Sequence, residues 1–214
     1  MASNPSVSAA STAQPRMSSA KAAGAALPAK TYLRQRRDQI LAKTAARLLK
    51  GEDPDKVVMP ALFRELAAER IVDATLGFIV TDMGEAMKLG FMEGFDREMI
   101  QRCLTLDFGQ AICGTVAATR QAMHVMDIQR SLDPLADLVR SAGINAYACE
   151  PLIVGDRLLG TLSFASRSRR SFDADDLLFF RAIAKQVAIA RDRARVNAKR
   201  VRVRKREKRT AVLA

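Results

Sequence analysis

The stretch NAYACEPLIV-GD-RLLGTLSFAS, residues 145–166, decides the fold. Its two apolar runs, 145–154 and 157–166, are each of strand length and meet at the pair Gly155–Asp156. Two such runs joined by a two-residue turn predict an antiparallel hairpin. Pro151 has no N–H to give to a ladder, so it predicts a bulge or a free edge at its point of the first strand. Gly160, after Leu158 and Leu159, predicts a place where a helix comes close to the sheet.

Outward from the hairpin the pattern alternates between strands and helices. Upstream, AMHVMDI (122–128) reads as a strand, and PLADLVRSAG (134–143) as a short helix opened by Pro134 and closed by Gly143. ATLGFIV (74–80) and AMKLGF (86–91) read as paired strands across a turn at Asp82–Gly84. The segment from Glu93 to near Cys103 is expected to be helical. Before these, Leu33, Ile40, Leu41, Ala45, Leu48 and Leu49 recur at helical spacing and predict a helix over 34–50, with Gly51 ending it. Asp53 followed by Pro54 is an N-cap with proline at the first helical position, opening a second helix to about Glu69. A long final helix starts at Phe172–Asp173, with Asp173, Asp175 and Asp176 at its positive end. The fold class is therefore α+β, an antiparallel sheet flanked by N- and C-terminal helices.

Charge divides the chain further. The total of +12 resolves into +6 over residues 1–37, +9 over 191–214 and −3 over 38–190. The basicity belongs to the ends, not to the folded centre. Residues 1–33 are rich in Ala and Ser with three prolines, too poor in large apolar groups to form a core, and read as a disordered leader; an organellar targeting segment is the alternative. Residues 34–193 form the globular domain and 194–214 a basic extension. No apolar run approaches 18 residues, so no membrane span is expected. Three cysteines without a spacing framework read as reduced thiols of a cytoplasmic protein.

The motifs in combination resemble the GAF domains of bacterial signalling proteins, in the form found at the front of sensor histidine kinases. The resemblance covers roughly 40–193 and rests on Gly109-x-x-x-Cys113-Gly114-Thr115, Asp127-Ile128, Asp133-Pro134, Pro151-Leu152 and Leu159-Gly160-Thr161-Leu162. It implies a sensory or regulatory domain without enzymatic activity, binding an unidentified small molecule and pairing as a homodimer through its terminal helices. A histidine kinase or another signalling protein is the implied output partner. It also places Phe108, Ile112, His124, Tyr147 and Ser163 around a cavity between the sheet and the 93–120 segment. Two stripes on the last helix, Leu177, Phe180, Ala184 and Val187, and Phe179, Ile183, Val187 and Ala190, exceed what one sheet needs and are expected to serve the dimer.

One enzymatic subgroup, the free methionine sulfoxide reductases, shares the ten-residue spacing of Cys103 and Cys113. Its catalytic third cysteine would fall near Arg140, whereas Cys149 stands two residues before Pro151. The acids that would hold a substrate amino group are also replaced here by Leu162-Ser163-Phe164-Ala165. Reductase activity is thus the rival class. Cys149 is followed by Glu150, not the histidine of bilin-binding relatives, and the Asn-Lys-x-Phe-Asp-Glu signature of cyclic-nucleotide binders is missing. A metal site is not expected, since the chain has one histidine, His124, and Cys103 and Cys113 lack zinc-type spacing. These two thiols read as small buried residues. Lys199, Arg200, Arg202, Arg204, Lys205, Arg206, Lys208 and Arg209 are candidates for weak nonspecific contact with a polyanion such as nucleic acid.

Overall fold

The computed structural model describes residues 28–81 and 84–212. Residues 1–27, which carry most of the expected leader, lie outside the described residues. Six strands form one sheet with helices on both faces. The elements are α1 (Ala29–Leu49), α2 (Met59–Ala68), β1 (Ala74–Val80), β2 (Ala86–Glu93), α3 (Arg97–Arg102), β3 (Thr105–Asp107), α4 (Ala111–Thr119), β4 (Met123–Val125), α5 (Asp137–Ser141), β5 (Ala146–Val154), β6 (Arg157–Ser166) and α6 (Ala174–Val212). The strand order is β3-β2-β1-β6-β5-β4 and every pairing is antiparallel.

The deciding hairpin forms as read. β5 and β6 pair from Ala146–Ser166 to Val154–Arg157, with the register shift between Leu152 and Ile153. Pairing of β5 with β4 stops at Cys149, so Pro151 sits where that side of the strand has no neighbour to miss its N–H. Gly160 is required, though by a different neighbour than the sequence predicts. A Cβ there would lie 1.9 Å from the Phe78 carbonyl oxygen and 2.9 Å from Arg191 Nη1. What approaches is the β1 backbone and one guanidinium from α6, not a helix backbone.

Local chemistry fixes the helix ends. The Asp53 carboxylate accepts from the Asp55 and Lys56 amides, both at 2.9 Å, and starts a π-helical turn that leads into α2. Asp173 and Asp176 cap α6 reciprocally, the Asp176 amide on the Asp173 carboxylate at 2.8 Å and the Asp173 amide on Asp176 at 3.2 Å. Asp176 is fully buried and also receives Arg37 from α1 and Arg169. α1 begins at Ala29, five residues earlier than its spacing predicts.

The expected helix from Glu93 to Cys103 shrinks to α3. β2 continues to Glu93, and Gly94, at φ +77°, turns the chain where a Cβ would strike the Asp73 carbonyl at 2.3 Å. Asp96 then caps α3 through the Met99 amide.

The sheet separates two cores. On one face α1, α2 and α6 cover Phe91, Ala148, Leu152, Leu162 and Phe164, where Phe164 stacks on Phe180 with ring centroids 4.1 Å apart. On the other, α3, α4 and α5 cover Leu76, Phe78, Met87, Tyr147 and Cys149. Both stripes expected for the dimer are consumed by the first core: Phe179, Phe180, Ile183, Ala184, Val187 and Ala190 are all buried within the chain. The reason is that α6 packs on β5 and on α1 together, so two stripes meet two partners.

Candidate functional site: a buried thiol–hydroxyl cluster under α4

The site is built where α4 lies on β5 and β6. Gly109 and Gly114 shape the entry: the Gly109 amide bonds the Gly114 carbonyl at 2.7 Å, and a Cβ on Gly114 would lie 2.3 Å from the Asp107 carbonyl. This close turn aims Cys113 at the sheet. Strand alternation puts Tyr147 and Cys149 of β5 and Thr161 and Ser163 of β6 on that same face. Cys113 Sγ lies 3.1 Å from Tyr147 Oη, 3.3 Å from Ser163 Oγ and 3.8 Å from Cys149 Sγ. All four residues are buried, and the buried hydroxyl of Thr161, two positions along β6 on the same face, has no hydrogen-bond partner among the described residues.

These contacts divide the thiols. Hydrogen bonds from Cys149, then Ser163 and Tyr147, lower the Cys113 thiol to about 7 against the opposing effect of burial. Burial raises Cys149 well above the ordinary thiol value and does the same to the Tyr147 phenol. Cys103 stands apart, its Sγ 3.6 Å from Met99 Sδ, and burial pushes it up to about 11.

Of the five residues expected at a cavity, Ile112, Tyr147 and Ser163 converge on this cluster and half-buried Phe108 packs against the same core. His124 does not join them. It pairs in register with Ala148, which faces the other core, and its Nε2 lies 3.0 Å from Glu150 Oε1. Arg181 of α6 reaches the second oxygen of Glu150 at 3.5 Å. Strand parity explains the correction, since neighbours one residue apart point to opposite faces.

The expected cavity is nearly filled. About 20 Å³ remains beside Cys113, among Leu76, Phe78, Met99, Cys103, Ile112 and Tyr147, room for one water-sized molecule. A broader cleft of about 630 Å³ opens instead beside α6, lined by Lys88, Arg157, Arg191 and Arg195 together with Asp53 and Asp55. No sequence feature pointed there. Its buried Arg191 is committed to structure, holding Asp55 and donating 2.6 Å to the Phe78 carbonyl. Among the described residues no group of three or more His, Cys, Asp or Glu is placed to hold a metal ion.

The basic candidates lie on α6, which stays helical to Val212. Lys199, Arg200 and Arg204 are exposed; the side chains of Arg202, Lys205, Arg206, Lys208 and Arg209 fall outside what the structure describes. Among the described residues no helix is long and apolar enough to cross a membrane.

The GAF domain family model matches residues 37–190. The chain belongs to the GAF family. Its fold is similar to the GAF domain of a phosphoenolpyruvate-protein phosphotransferase from Coxiella burnetii, at 18% identity and a TM-score of 0.65, covering 77% of this chain and 98% of that one. It is also similar to the free methionine-R-sulfoxide reductase of Neisseria meningitidis, solved with its substrate, at 20% identity and TM-score 0.62 over 81% and 96% of the two chains. A second such reductase, from Staphylococcus aureus, gives 17% identity and TM-score 0.57 over 72% and 94%. No curated protein matches the chain significantly. A GAF fold thus carries both regulatory and enzymatic members, and the site must choose between them.

The pairing of Cys149 with Cys113 is the feature that sequence reading missed. Alternation from Tyr147 and a buried Cys113 supply part of it; the docking of α4 over β5 supplies the rest, and no local pattern encodes that docking.

Proposed function

We propose that this chain is a non-catalytic sensory and regulatory GAF module, acting as a homodimer through its terminal helices and responding to a small molecule. One observation carries the reading. α6 begins in the domain core, has its last buried residue at Arg191, still bonds the domain through Asp192 and Arg193, and continues as helix to Val212. Along it Ile189, Val196 and Val203 recur every seventh residue and are exposed, Ile189 by 63%. Ile189 also borders an apolar groove of about 170 Å³ with Ala45, Leu48 and Leu49 of α1. A seven-residue apolar recurrence on a projecting helix suits pairing with a second copy. The exposed residues, not the stripes spent inside the domain, form this seam.

The ligand-facing set is Phe108, Ile112, Tyr147 and Ser163. With about 20 Å³ open, a small molecule must displace the α3–α4 layer to bind, which makes binding a conformational signal. Native mass spectrometry of the purified protein tests this: a noncovalent adduct lost in Tyr147→Ala supports it, and no adduct across lysates and candidate metabolites would leave the domain without a ligand.

The non-catalytic reading is favoured by the segment around Arg140, where the resemblance asks for a catalytic cysteine and which holds none; Arg140 itself donates to the Ser131 carbonyl at 2.7 Å. An NADPH-coupled thioredoxin assay with free methionine sulfoxide decides it, since turnover would assign a reductase. The exposed cations of α6 support a second role, weak polyanion contact.

A further inference from the structure

We propose that Cys113 and Cys149 are an oxidisable dithiol, which a small hydroperoxide converts into an intramolecular disulfide joining α4 to β5. The pair is already in van der Waals contact, with sulfurs 3.8 Å apart. A disulfide needs them about 1.8 Å nearer, a movement on the scale of side-chain rotation and a small settling of α4. The partners lie 36 residues apart, so the cross-link follows from tertiary packing and not from the ten-residue spacing of Cys103 and Cys113.

The surroundings give the two sulfurs different roles. Cys113 is met by three potential donors, Tyr147 Oη, Ser163 Oγ and the Cys149 thiol. All three stabilise a thiolate there, and the thiolate is the nucleophile. Cys149, buried and raised, keeps its proton. The Cys113 thiolate attacks one peroxide oxygen, and the O–O bond breaks. The leaving oxygen takes a proton and departs as water or an alcohol. Cys113 is then a sulfenic acid. The Cys149 sulfur attacks the Cys113 sulfur, the S–O bond breaks, and the oxygen leaves as water with the thiol proton. In total two thiols and one hydroperoxide give one disulfide, one water, and one further water or alcohol. The dithiol loses two electrons and the O–O bond gains them.

Burial selects the oxidant by size. The residual space of about 20 Å³ borders Cys113 itself and holds one water-sized molecule, so a small shift of the lining side chains admits hydrogen peroxide, whereas bulkier hydroperoxides need a larger opening. The consequence reaches the opposite face of the sheet. Drawing Cys113 to Cys149 takes an acceptor away from Ser163 and Tyr147. The next residue on β6, Phe164, stacks on Phe180 of α6. One strand residue thus separates the thiol cluster from the helix that carries the proposed dimer seam. The chemistry itself does not depend on the dimer or on the ligand.

The test uses the full chain. The reduced protein is treated with a tenfold excess of hydrogen peroxide, and remaining thiols are alkylated after denaturation for peptide mass spectrometry. The expected result is a cross-linked peptide pair containing Cys113 and Cys149, Cys103 alkylated, and one peroxide consumed per chain. Cys103→Ser should keep the cross-link, whereas Cys149→Ala should leave Cys113 as a sulfenic acid that dimedone traps. Three alkylated thiols after treatment, or a disulfide involving Cys103, would overturn the proposal. The wild-type chain alone distinguishes these outcomes, even where a variant fails to fold.

Discussion

Asp73 shows how much one side chain organises. Its carboxylate accepts from Ser166 Oγ at 2.6 Å, the Arg167 amide at 2.7 Å, and the Ser168 amide and hydroxyl at 3.2 Å each. Burial pushes it up, but these donors prevail and hold it below the ordinary carboxylate value. A carboxylate lowered by folding adds stability above its unfolded pKa, lost as pH falls through the folded one. Asp73→Ala should therefore cost about 2 kcal/mol at neutral pH, read by urea denaturation. It should also flatten the loss of stability below about pH 4. The thiols give a second prediction: peroxide consumption by the wild type should rise with pH through about 7, the value to which Cys113 is lowered. Tyr147→Phe removes one donor, so its midpoint should lie higher, and an unmoved midpoint would show that Tyr147 does not stabilise the thiolate. The resemblance grouped Tyr147, Ser163 and Ile112, which lie together under α4, but it also took in His124, because a short strand such as β4 gives too few residues to set its parity.

Among the elements, the hairpin was legible because both its strands are long, apolar and joined by two residues. Pro151 marks the place where pairing with the short β4 has ended, and the register shift follows one residue later. Gly160 marked a close approach correctly and named the wrong visitor, since a guanidinium arriving from α6 leaves no mark in strand sequence. Gly160→Ala places a Cβ against the Phe78 carbonyl, a backbone atom that cannot swing away. A loss of about 3 kcal/mol or more in chemical denaturation is expected; a loss under about 1 kcal/mol would mean that β1 and β6 shift freely there. The segment between β2 and α4 was the least legible. Its helix is short because Gly94 and the Asp96 cap set the start, and Cys103 ends it before β3. The final helix was legible at its start, from Asp173, but its two stripes could not tell a partner helix in the same chain from one in a second copy.

At the scale of the molecule, an acidic centre of −3 sits between basic ends, and α6 carries the larger of them away from the domain. Retention on duplex DNA should depend on residues 199–209, with affinity falling about 10³-fold between 50 and 200 mM salt if some six phosphates are neutralised. A chain ending at residue 193 should not bind, and equal binding by it would assign the contact to the core. The same cations repel one another across a parallel pair, so the seam is expected to hold near Ile189 and Val196 and to strengthen with salt. Sedimentation velocity of the full chain, set beside Ile189→Glu/Val196→Glu, tests the regulatory dimer most directly. Both positions are exposed in the single chain, so the substitutions should leave the variant folded, with cooperative thermal unfolding, lowered only by whatever stability the dimer adds. The expected result is a wild-type dimer and a folded monomeric variant; a monomeric wild type, or a variant that stays dimeric, would contradict the regulatory dimer.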